Sequence, residues 1–254
     1  MLAFWGMDDP QDSPEPQEQE VSRAVEVTCH SAIFSIIGEE LTLLLRERNE
    51  GPFRFQWELP GVTPTHAENL ATAALRAVTP LLPIGSAPHL HQLGAYGAPN
   101  RDPRHQSVAI VYWGVTRHDD LQAESSSLHP VPIGTWASEE FRFAFDHRLI
   151  ATEALTALRQ AMNNTSVATR LCGAHFTMSE LQHVYEIIFG TKIAAGNFHR
   201  KISNTPGFIT LTEEQTQKPN KKGRPAQHFE STKIVTISPP FQFQALPLND
   251  ATTS

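Results

Sequence analysis

The sequence predicts an α/β chain in two parts, a layered α/β domain followed by a smaller helix-rich unit closed by a hairpin. Two observations carry this. The first 145 residues hold runs rich in Val, Ile, Phe and Thr, interrupted by one helical repeat. The last third reads helix, turn, helix, strand, basic loop, strand.

Residues 1–20 are rich in Asp, Glu, Gln and Pro and are expected to be disordered. Val25 to Ile37 reads as a strand, and Leu41 to Leu45 as a second, joined by a turn at Gly38-Glu39. Ala67 to Val78 places Leu70, Ala71, Ala74, Leu75 and Val78 at helical spacing, and Pro80 and Pro83 stop the helix. Ser107 to Val115 has the pattern of a buried strand. A further helix starts after Asp146, read as its N-cap, and runs through Leu149, Ile150, Ala154, Leu155 and Leu158 to about Met162. Asn163 to Ser166 breaks that pattern and marks the domain boundary. Thr177 with Glu180 three residues on forms a capping box, and Gly190 ends the helix so begun. Ala194 to Ser203 is the next helix, with Phe198 and Ile202 on one face. Phe208 to Leu211 and Gln227 to Val235 are the strands of a hairpin around Lys218 to Arg224. That order is the order of a winged helix-turn-helix. The Pro- and Gln-rich tail from Ser238 is expected to be disordered.

Charge separates the two ends. The chain has 254 residues and a net charge of −7. Asp8, Asp9, Asp12, Glu15, Glu18 and Glu20 load the N-terminus without a base among residues 8–20. Residues 191–233 hold eight basic side chains against three acidic ones, which points to a polyanionic partner for that segment. Hydrophobic residues make up 40%, enough for a core, but no apolar run approaches a membrane span. No basic-then-apolar leader opens the chain, and Cys29 and Cys172 lie far apart, so a reducing cytoplasm is expected.

Trp57-Glu58-Leu59-Pro60-Gly61, with the helical run Glu68 to Arg76, resembles the opening of a Nudix box. In Nudix hydrolases, glutamates after the arginine hold Mg²⁺ against a diphosphate. Here Ala77, Pro80 and Leu81 occupy that stretch and offer no side-chain oxygen to a hard cation. The fold is therefore expected without the metal chemistry, with Glu68 and Arg76 structural. Val62, where the Nudix pattern has glycine, bears on which ligand fits. His89 and His91 share a strand face without Cys or acids nearby and read as a surface pair.

Three further stretches extend the resemblance. They are Gln92 to Arg104 ending in Arg-Asp-Pro-Arg, Phe143-Ala144-Phe145-Asp146-His147, and Leu181 to Gly190 with Asn197 to Ile202 and Gly223-Arg224-Pro225. Together they resemble the NrtR family over residues 24–232. The resemblance implies a Nudix-like α/β/α sandwich over 21–145, a linker helix over 146–164 and a winged helix-turn-helix over 165–237, with a tail over 238–254. It implies a homodimeric repressor of NAD-metabolism genes on palindromic operator DNA, or in some branches a regulator of sugar catabolism sensing a sugar phosphate. The effector is expected to be ADP-ribose or a related nucleotide, with no catalytic or metal site. An active pyrophosphohydrolase is the remaining alternative.

Arg46, Arg48, Arg101 and Arg104 are candidates for the effector's phosphates, because a guanidinium fork matches two phosphate oxygens. Trp57, with Phe53 and Phe55, offers a stacking face or else plugs the core. In a helix-turn-helix the second helix enters the major groove. That gives Asn197, His199 and Arg200 to base edges and Lys201 to phosphate, with Lys221, Lys222 and Arg224 in the wing.

Overall fold

The computed structural model describes residues 24–82, 88–121, 128–215, 227–231 and 233–247. Strands β1 (Glu26–Ile37) and β2 (Glu40–Glu47) form an antiparallel hairpin with Phe34 opposite Leu43. The turn is tight because Gly38 adopts φ 61°, a conformation that costs glycine little. Short strands β3 (Trp57–Glu58) and β4 (Gly61–Val62) pair with β2 and β1. Helix α1 covers Leu70–Val78. Strand β5 (His91–Tyr96) lies antiparallel to β6 (Ser107–Val115), and β6 runs parallel to β1 at the centre of the sheet. Strand β7 (Leu128–Pro132) pairs with the other edge of β2.

The period-two alternation of β1 creates the layers. Cys29 and Ile33 face the α1 side with Ala73, Ala74 and Val78, and the Ser31 hydroxyl donates to the Ala74 carbonyl. Ala32 and Phe34 belong to a second cluster, which holds Ile150, Ala151 and Ala154 of helix α3 (His147–Asn164). The short helix α2 (Ile133–Ala137) adds the buried Trp136 to that side. The result is an α/β/α sandwich.

Helix α1 starts at Leu70, three residues later than its apolar pattern suggests. Asn69 is the cap, its side chain accepting from Thr72 N at 2.9 Å. Glu68 instead accepts from Thr65 N and pairs with Arg76 at 2.6 Å. Those hydrogen bonds, Arg76 first, pull its pKa down to about 2.

Helix α3 leaves the sandwich and enters the second core without a break. The buried Tyr185 hydroxyl donates to Met162 O at 3.1 Å, and Arg159 Nε donates to Ile188 O at 3.0 Å. Beyond it stand β8 (Phe176–Thr177), α4 (Met178–Phe189), α5 (Ala195–Ser203), β9 (Thr210–Gln215) and β10 (Gln227–Glu230), with sheet order β8-β10-β9. Both bonds of the capping box at Thr177 and Glu180 are made, and Gly190 closes α4 at φ 67°. Phe198 and Ile202 are fully buried.

Three expectations change here. Strand β9 begins at Thr210, not Phe208, because Phe208 turns into the core after Gly207 (φ 73°). Strand β10 ends at Glu230, not Val235, because Val235 bonds instead to Ser166, its N–H to the hydroxyl and its carbonyl to the Ser166 N–H, both at 2.9 Å. The tail expected to be disordered is ordered as far as residue 247. Phe241 is buried, and Phe243 packs on Tyr185, Phe189 and Phe198. Asn163 fastens this tail by bonding the Phe243 N–H and carbonyl. Composition rich in Pro and Gln concealed two aromatic anchors. The acidic segment 1–20 and residues 248–254 lie outside the described residues.

Candidate functional site

Four arginines named from the sequence meet in one cleft of the sandwich. Arg46 and Arg48 come from β2 and the residue beyond it; Arg101 and Arg104 come from the loop between β5 and β6. The inner cavity has a volume of about 150 Å³. A larger cleft of about 840 Å³ shares Arg101, Asp102, Arg104 and Ser107 with it and is walled by the 97–107 loop.

Each cation is held by a carboxylate. Buried Glu58 receives Arg46 Nε at 2.8 Å and also binds Arg48, whose own Nε donates to Pro52 O at 2.8 Å. Arg101 is gripped bidentately by Asp146, Nη2 to Oδ1 at 2.7 Å and Nε to Oδ2 at 3.0 Å, and its Nη1 donates to Ser107 Oγ at 3.1 Å. Arg104 pairs with Asp102 at 2.6 Å, which holds that carboxyl below its usual range. A guanidinium has five N–H donors, and each of these four side chains uses two or three of them. The cleft therefore presents fixed cations with donors left over, an arrangement suited to an anion with several oxygens.

The floor was not anticipated. His30 and His147 line the cavity beside Glu58 and Phe145. His30 Nδ1 lies 3.3 Å from Leu59 O, which can only accept, so that nitrogen carries the proton. His147 Nδ1 accepts from Leu59 N at 3.0 Å. Burial drives both pKa values down, that of His30 to about 4, and the neighbouring His30 lowers His147 further. Both are neutral at pH 7. Phe145 adopts φ 52°, stacks edge-on against Phe53 and carries Arg48 over its face at 4.9 Å. Glu58 and His147 both lay inside motifs quoted from the sequence, but nothing local announced that strand and helix would bring them together.

Trp57 is not among the residues lining the cleft. It stacks on Phe141 and meets His129 edge-on, so it fills the core rather than offering a face to a base. Phe55 is largely exposed with Arg54 over its ring, and is also absent from that lining. His89 and His91 do adjoin, at 4.7 Å between centroids, but His91 stacks on Trp113. Among the described residues no group of three or more His, Cys, Asp or Glu side chains is placed to hold a metal ion.

On the second unit, α5 presents Asn197, His199, Arg200 and Lys201 outward while Phe198 and Ile202 anchor it. Arg200 Nη2 donates to Asn197 Oδ1 at 3.2 Å, which ties the two candidate base readers together. Lys201 differs from expectation. Its ammonium lies over Phe243 at 4.9 Å and Phe241 at 5.6 Å, a cation–π contact with the tail. Lys221, Lys222 and Arg224 lie outside the described residues. Among the described residues no helix is long and apolar enough to cross a membrane.

Residues 168–230 match the family model of the NrtR DNA-binding winged helix domain. The chain is 30% identical over 206 residues to the "ADPR responsive transcriptional repressor NtrR" of Acinetobacter baylyi, covering 80% of each protein. Its structure resembles Shewanella oneidensis NrtR in complex with a 27mer DNA, with a TM-score of 0.71 and 26% identity, over 81% of this chain and 93% of that one. A MutT/nudix family protein from Enterococcus faecalis shares the fold, with a TM-score of 0.65 and 20% identity over 85% and 90% of the two chains. The curated relative is a regulator, and the match covers 80% of this chain. The chain belongs to the NrtR family.

Proposed function

We propose that this protein is a transcriptional repressor of NAD-metabolism genes in which the sandwich senses ADP-ribose or a related nucleotide and the winged unit reads operator DNA. The observation that carries the reading is the convergence of Arg46, Arg48, Arg101 and Arg104 on a cleft floored by His147, the first residue of α3. A diphosphate is the anion those forks suit, and the 97–107 cleft beside them has room for the rest of a nucleotide. In this reading the sensor spans 21–145, the linker 146–164 and the DNA-binding unit 165–237. Asn197, His199 and Arg200 read bases, and Lys221, Lys222 and Arg224 follow the backbone. Two copies bind a palindrome, as helix-turn-helix dimers do.

The sandwich is catalytically silent in this reading. Ala77 lies in the last turn of α1 where a glutamate would serve, and Pro80 and Leu81 lie in the following 3₁₀ turn. None carries an oxygen to give Mg²⁺.

The test uses a DNA duplex selected by the full-length protein from a random pool. Anisotropy titrations with and without ADP-ribose, NAD and several sugar phosphates should show an isotherm that shifts with ADP-ribose. The nucleotide should be recovered intact after incubation with Mg²⁺. Failure to enrich any duplex overturns the repressor, a shift with a sugar phosphate alone replaces the effector, and Mg²⁺-dependent cleavage restores the hydrolase.

A further inference from the structure

We propose that the Arg101–Asp146 pair is the coupling switch of this protein: an anionic effector takes Arg101 from Asp146, and the released carboxylate caps the linker helix. The proposal rests on the effector reading above and names how binding in the cleft reaches α3.

Asp146 stands at the N-cap position of α3 but does not cap it. Neither of its oxygens bonds a first-turn amide, and its backbone sits at φ −94°, ψ 16°, not in the extended region that capping requires. The sandwich claims the carboxylate instead. Arg101 is nearly buried, with a side-chain exposure of 5%, and holds both oxygens. Helix α3 has no acidic residue in its first turn, so Asp146 is the one nearby carboxylate in sequence able to serve its N-terminus.

The preceding residue strengthens the case. Phe145 is held at φ 52°, unfavourable for a residue with a Cβ, and its ring lines the same cavity under Arg48. A non-capping aspartate and a strained aromatic thus sit side by side where the cleft joins the helix. Both are kept there by contacts with cleft arginines.

A phosphate oxygen approaching Arg101 competes for the same two donors, because they point at one carboxylate. Once freed, Asp146 reaches the Arg148 or Leu149 N–H only if ψ at 146 turns to the extended region. That rotation re-aims α3 against the sandwich. The clamp that Arg148 makes on the carbonyls of Trp136 and Ser138 would have to shift with it. Ligand energy is thereby converted into a new helix direction, the differential contact that a ligand-driven change needs.

The experiment compares the wild-type chain with Asp146→Asn, which keeps the size and capping ability of the side chain but removes its charge. Titration calorimetry with ADP-ribose and anisotropy with the selected duplex are run on both. The variant is expected to bind ADP-ribose about tenfold more tightly. Without ligand, its DNA affinity should match that of the ligand-bound wild type, so that ADP-ribose changes it at least fivefold less. Hydrogen exchange on the wild type supplies a readout independent of the variant's folding: Arg148 and Leu149 amides should gain protection when ADP-ribose binds. Unchanged protection, or a variant whose DNA response equals that of wild type, overturns the switch while leaving the effector reading intact. Absence of ADP-ribose binding to the wild-type chain overturns both.

Discussion

His30 and His147 meet edge to face beneath the arginine cleft, ring centroids 4.9 Å apart at 70°, and both are neutral in the folded protein. The unfolded chain protonates these imidazoles near pH 6.5, whereas folded His30 resists until about pH 4, chiefly through burial. Between those values the unfolded state takes up protons that the folded state refuses, so the His30 contribution falls as pH drops from 6.5 to 4; below that, the carboxylates whose pKa arginines depress, Glu68 and Asp102 among them, continue the loss. His30 alone accounts for about 2 kcal/mol after allowance for the openness of the cleft. Urea unfolding midpoints measured from pH 7.5 to 4.5 should show this slope, and His30→Gln should remove much of it. A flat wild-type profile would contradict the assignment.

Gly61 is the price of that packing. A Cβ on Gly61 would fall well inside van der Waals contact of the His30 ring, with backbone on both sides of the residue fixed in β4. Gly61→Ala should destabilise by about 1–3 kcal/mol, the range for overpacking a filled site. Calorimetric melting of the variant checks this, and it should also show weaker ADP-ribose binding because the floor of the cleft is displaced. A variant with the wild-type melting temperature would show that His30 can move aside.

The C-terminal tail carries a separate expectation. Phe241 and Phe243 close the face shared by Tyr185, Phe189 and Phe198. Truncation after residue 237 removes both rings and the Asn163 contacts. The loss should be about 3–5 kcal/mol, comparable to emptying one large aromatic site. Calorimetric melting of the truncated chain checks this, and a wild-type melting temperature would show that the two rings do not support the fold.

Arg200 and Phe198 separate recognition from folding on one helix. Arg200→Ala leaves an exposed site and should melt within about 0.5 kcal/mol of wild type. It should nevertheless lose at least tenfold in affinity for the selected duplex, as expected for a residue reading a base edge. Phe198→Ala should instead lower stability by about 3–5 kcal/mol, since the side chain is fully buried. An Arg200→Ala protein that binds the duplex as wild type does would remove α5 from the reading surface.

Local signals in the sequence translated well, and distant ones did not. The capping box of Thr177 and Glu180 was legible because its partners are three residues apart. The β6 strand was legible because Ser107 to Val115 is apolar almost throughout, as a central strand must be. Arg101 was legible as a cation but not as a member of an ion pair, because Asp146 lies 45 residues from it. Position alone makes Asp146 a cap, but the bidentate hold of Arg101 overrides that preference. For Trp57 the residue type alone leaves a stacking face and a core plug equally open. Its place at the start of β3 turns it toward Phe141 and selects the core, a matter of strand register that no local pattern specifies.

Helix α3 runs unbroken from His147 to Asn164. Eighteen residues at roughly 1.5 Å each make a lever about 27 Å long. A tilt of roughly 5° at its first turn carries the far end by about 2 Å. Set against the ~3.4 Å rise of a base pair, and doubled by the symmetry of the proposed dimer, that stroke is enough to spoil the registration of two recognition helices on one palindrome. Neither winged unit needs to change its own shape. Stiffness, rather than flexibility, is then the property of α3 on which regulation depends, and a glycine pair placed at its exposed positions would blunt the response to ligand while leaving both ends folded.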